Sequence, residues 1–121
     1  MLRRSFPLLL TFAALAGFTV LLQIKSGAYC SEIAAFSDEP SHYINGLMVR
    51  DYFFAGFPVG PMKYAVAYYL QYPKVSIGHW PPFYYAIEAL WMAVFSSSRF
   101  SVFVFCAIIT TGLAVLIGIQ V

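Results

Sequence analysis

Two uncharged apolar runs, Phe6–Ile24 and Phe100–Val121, leave this 121-residue chain few ways to fold. Rising 1.5 Å per residue as helices, they reach about 28 and 33 Å, close to one bilayer hydrocarbon thickness. Composition points the same way: 61% of residues are hydrophobic, 10% are charged, and mean hydropathy is +0.77. The expected class is an all-α integral membrane protein. A formal charge of +2, scattered along the chain, gives neither a nucleic-acid footprint nor a polybasic lipid patch. Cys30 and Cys106 are too few for a disulfide framework, match no metal-ligand spacing and read as small apolar fillers.

A third segment, Trp80–Ser98, is a weaker span candidate. Pro81-Pro82 suits a helix's first turn, where a missing N–H would have had no partner. Trp80, Tyr84 and Tyr85 resemble an interfacial aromatic belt, and Ser96–Arg99 reads as a tight turn. The sequence therefore predicts three transmembrane spans: a start and first span over 1–24, a loop over 25–79, a second span over 80–98 and a third over 99–121. Arg3, Arg4 and Arg99 on one side put the amino terminus and the second turn in the cytoplasm of a plasma or inner membrane, with the long loop facing outward. A cleaved leader is the competing reading of the first run, with Ser26-Gly27-Ala28 as the cut site, but the run exceeds a typical signal core.

The loop balances Lys25, Arg50, Lys63 and Lys74 against Glu32, Asp38, Glu39 and Asp51. Its pattern predicts interfacial helices at about Pro40–Phe54 and Met62–Tyr72, separated by the glycine- and proline-rich stretch 55–61. In the first, Tyr43, Ile44, Leu47, Met48 and Phe54 recur at helical spacing, and Gly46 weakens the helix slightly. In the second, Tyr64, Tyr68, Tyr69 and Tyr72 suit seating at a membrane interface more than a sugar platform.

Asp38-Glu39 ahead of Pro40 is a good helix start, favourably placed against the helix dipole. At a membrane surface the same carboxylates could take a proton from an attacking hydroxyl, or help hold a divalent cation against a phosphate. His79 is either an interface residue or an N–H donor to a phosphate or sugar oxygen. Arg50 and Lys63 are solvated cations or phosphate contacts. Glu88, about 13 Å along its helix from His79, is expected to face protein and to hydrogen-bond a neighbouring helix.

Asp38-Glu39-Pro40 and Tyr43, then Tyr72-Pro73, then Gly78-His79-Trp80-Pro81-Pro82-Phe83-Tyr84-Tyr85 resemble, in this order, the amino-terminal part of a C-type (GT-C) membrane glycosyltransferase. That group includes protein O-mannosyltransferases and the aminoarabinose transferases of lipid A. The resemblance covers nearly the whole chain and implies a polyprenyl-phosphate sugar as donor, with inverting transfer on the outer membrane face. It implies Asp38 as catalytic base with Glu39 in support; His79, Arg50 and Lys63 are the candidate substrate contacts that the residues themselves offer. Some relatives use a divalent metal. Members of the group carry many more spans, so the remaining helices of a longer parent protein are expected partners, and this stretch alone is expected to be inactive. Two other classes fit the residues: a small non-enzymatic membrane subunit packing through Ala13, Ala14, Ala16 and Gly17, and a transporter fragment with Glu88 as coupling acid.

Overall fold

The computed structural model describes the backbone of residues 2–5 and all atoms of 6–30, 38–76 and 78–120. Among these residues there are five helices and no strand: α1 (Leu2–Lys25), α2 (Asp38–Phe54), α3 (Pro61–Gln71), α4 (Pro82–Val94) and α5 (Arg99–Gln120). Glu32 of the balanced loop and the side chains of Arg3 and Arg4 lie outside the described residues. The chain divides into two compact units, Met1–Ser31 with Phe103–Val121, and Glu32–Val102.

The first unit holds α1 and most of α5. Among the described residues, Phe6–Lys25 and Arg99–Gln120 are the two helical stretches long and apolar enough to cross a membrane. Three of their hydroxyls are satisfied within their own helix: Thr11 donates to the Pro7 carbonyl at 2.9 Å, Thr19 to Leu15 at 2.9 Å and Thr110 to Cys106 at 2.8 Å. Such bonding removes the cost of an unpaired hydroxyl in apolar surroundings. Leu8, Leu9 and Phe12 of α1 and Gly112, Val115 and Leu116 of α5 line an open apolar groove of about 330 Å³.

The second unit is built on α2, which packs against α4 and α3. Proline sets two helix starts: Pro61 opens α3, and Pro82 opens α4 behind Pro81 as cap. The α2 end is closed by Gly56 at φ 69°, whose N–H bonds Phe53 O at 3.0 Å, while Phe57 N–H reaches back to Tyr52 O at 3.3 Å. This paired closure satisfies carbonyls the helix would otherwise leave open. Ser98 caps α5 by accepting from Ser101 N–H at 3.3 Å, and Trp91 Nε1 donates to Ser101 Oγ at 2.9 Å, tying α4 to the first turn of α5. The buried faces are Ser41, Asn45 and Gly46 on α2, Tyr85, Glu88, Ala89 and Met92 on α4, and Ala65 on α3. The face that α2 buries is thus its small and polar one. Tyr43, Ile44, Leu47 and Met48 are only half-buried, and Phe54 is exposed.

Two spanning candidates, not three, correct the expected topology. The segment 80–98 is helical only over Pro82–Val94, about 20 Å, short of the roughly 30 Å a span needs. Its apolar content was real, but Phe95 and the serines 96–98 break the helix before it reaches that length. Arg99 is corrected with it. Its Nη2 lies 4.0 Å from Glu39 Oε1, and Tyr43 Oη donates to Ser97 O at 2.7 Å. The turn expected in the cytoplasm therefore sits beside the acids expected outside, a pairing that no membrane thickness can separate.

Candidate functional site

The second unit brings together two motifs that lie far apart in sequence. Asp38 and Glu39 form the first turn of α2, where the helix dipole favours negative charge. Glu39 is half-buried and faces Arg99, while Asp38 is the more exposed of the two. One turn further on, the His42 ring meets the His-Trp-Pro-Pro segment: its centroid lies 4.9 Å from Trp80, 5.9 Å from Tyr85 and, edge-on, 6.4 Å from Tyr84. His42 Nδ1 stands 2.8 Å from Tyr85 Oη. Asp38 and His42 are spaced i, i+4 and so occupy one side of α2.

Beneath this ring lies a buried polar layer. Asn45 is 1% exposed, and its Oδ1 accepts from Ser76 N–H at 3.1 Å, while its Nδ2 has no hydrogen-bond partner among the described residues. Burial raises the pKa of the Tyr85 phenol; the nearby Asn45 amide pulls it back in part, and the Glu88 charge pushes it up. Glu88 is 1% exposed, and its Oε2 has no hydrogen-bond partner among the described residues. The carboxyl lies across Gly46 so closely that a Cβ there would meet Oε2 at 2.5 Å and Cδ at 2.8 Å. Desolvation drives the Glu88 pKa up to about 8, so the acid is largely neutral at physiological pH. The expectation that Glu88 faces protein is met, but the contact is steric: it fills the notch that Gly46 leaves.

The remaining sequence candidates go elsewhere. Arg50 is held by its neighbour, with Nη2 and Nε at 2.6 and 2.9 Å from Asp51 Oδ1, and Asp51 Oδ2 accepts from Tyr68 Oη at 3.0 Å. Burial and then this hydrogen bond push the Tyr68 phenol well above its usual pKa. Lys63 is exposed on α3. His79 is exposed as well, with its ring edge-on to Trp80 at 5.9 Å. The ring contacts that join α2 to the His-Trp-Pro-Pro segment are made by His42, which reads in the sequence only as a polar neighbour on α2. Its i, i+4 spacing from Asp38 was the available signal. Among the described residues no group of three His, Cys, Asp or Glu side chains is placed to hold a metal ion.

Comparisons with protein-family models, with curated proteins and with solved structures find no match to this chain.

Proposed function

We propose that this chain forms the acid-bearing segment of an integral membrane glycosyltransferase that moves a sugar from a polyprenyl-phosphate donor to an acceptor on the outer membrane face. In this reading α1 and α5 cross the bilayer, and α2, α3 and α4 belong to the loop between them. Asp38 removes the proton from the acceptor hydroxyl as it attacks the anomeric carbon. Glu39, held toward Arg99, keeps the first turn of α2 in place. The observation that carries the reading is the contact of His42, one turn beyond Asp38, with Trp80 and Tyr85. Through it the two motifs on which the resemblance rests come together in one unit.

The test is Asp38→Asn introduced at the native locus, with membranes supplied with a panel of polyprenyl-phosphate sugars. Transfer should fall by at least 100-fold while membrane insertion is unchanged; undiminished transfer refutes the base assignment. A second reading, a non-enzymatic subunit, is favoured by α1, where Phe6 is 69% and Leu9 66% exposed and which offers an unpartnered apolar surface to another helix. Transfer that is absent from native membranes with every donor tested would favour that reading.

A further inference from the structure

His42 is the imidazole whose Nδ1 the fold sets against a buried phenol. Tyr85 is 5% exposed, and a buried phenol proton requires an acceptor. The Asn45 amide lowers the Tyr85 pKa as a donor to its oxygen does, its Oδ1 accepts from Ser76 N–H, and no other acceptor among the described residues bonds the phenol. The acceptor for Tyr85 is then His42 Nδ1, 2.8 Å away. A neutral imidazole that accepts at Nδ1 carries its proton on Nε2. That nitrogen makes no hydrogen bond among the described residues, while Trp80 and Tyr84 fix the plane of the half-buried ring.

We propose that His42 donates from Nε2–H to a phosphate oxygen of the lipid-linked donor, with Tyr85 as the positioning residue that sets the tautomer. This rests on the reading of the chain as a sugar-transferring segment and adds to it the group that receives the leaving phosphate. Asp38 lies about 6 Å away along the α2 axis. In an inverting displacement the acceptor and the leaving group occupy opposite faces of the sugar, so base and phosphate donor must be separated by about the width of a ring. The acceptor oxygen bonds to the anomeric carbon and its proton passes to Asp38. The bond from anomeric carbon to phosphate oxygen breaks, and its electron pair leaves with the phosphate, where the Nε2–H bond strengthens as charge develops.

The experiment uses the full chain in lipid nanodiscs with ¹⁵N-labelled histidine, titrated with farnesyl phosphate, inorganic phosphate and farnesol, and with exposed His79 as internal reference. His42 should show the Nε2–H tautomer and shift saturably with farnesyl phosphate but not with farnesol. Tyr85→Phe should erase the tautomer bias and weaken farnesyl phosphate binding at least fivefold, and His42→Ala should abolish it. An equal response to inorganic phosphate supports the contact and assigns it to free phosphate. An Nδ1–H tautomer, no response, or an equal response to farnesol overturns the proposal. Binding that survives in Asp38→Asn, with transfer absent from native membranes carrying the unmodified protein for every donor supplied, would defeat sugar transfer and leave this contact standing. Transfer without any His42 response would defeat this contact alone.

Discussion

At Glu88 a carboxyl group is enclosed where ionisation is hardest, and this sets a pH dependence. Its folded pKa of about 8 lies above the ordinary 4.5, so between these values the folded state binds more protons than the unfolded one. The stabilisation from this group is complete below about pH 4.5 and is lost as pH rises through about 8. Chemical denaturation of the chain in detergent should show this fall, with a slope of at most about 1.4 kcal/mol per pH unit. Glu88→Gln should flatten it, and an unchanged slope in that variant would place the titration elsewhere. Gly46→Ala should cost about 1–3 kcal/mol, because the added methyl has to displace the Glu88 carboxyl. A stability within error of the parent would mean that the carboxyl moves aside freely. The burial of Glu88 is legible in the sequence, but its fit against Gly46 is not: Gly46 reads locally as a poor helix former, and only its partner on another helix reveals what its missing side chain makes room for.

The helices show what local pattern can and cannot give. Pro40–Phe54 was expected and Asp38–Phe54 formed; Met62–Tyr72 was expected and Pro61–Gln71 formed. Proline near each start, Gly56 beyond the end of α2 and Pro73 beyond the end of α3 carry that information in the chain itself. The failure at 80–98 has a definable cause. Apolar content does not register that the backbone turns at Phe95, where a 13-residue helix ends short of a full span. Topology provides the check. With Cys30 and Cys106 replaced, single cysteines at Ser96 and Lys63, both exposed, should react with an impermeant maleimide from the same side of the membrane. Labelling from opposite sides would restore the three-span arrangement.

For the molecule as a whole, α1 and the later part of α5 make up a unit whose surface is largely apolar, while the polar chemistry is gathered in the other unit. This division was readable from composition, because charge is missing from the two runs and present between them. The assembly of the site was not, since the partners of α2 are fixed by contacts across some forty residues of chain. If the two apolar helices span a bilayer, the chain should stay in the membrane pellet through alkaline carbonate washing, and release into the supernatant would remove the membrane premise. Gly46 and Glu88 carry a further implication for how such a chain can diverge: the two codons are not free to drift independently. A descendant that gains bulk at the first position has to shorten the second, so among diverged copies the exchanges at these places should travel as a pair.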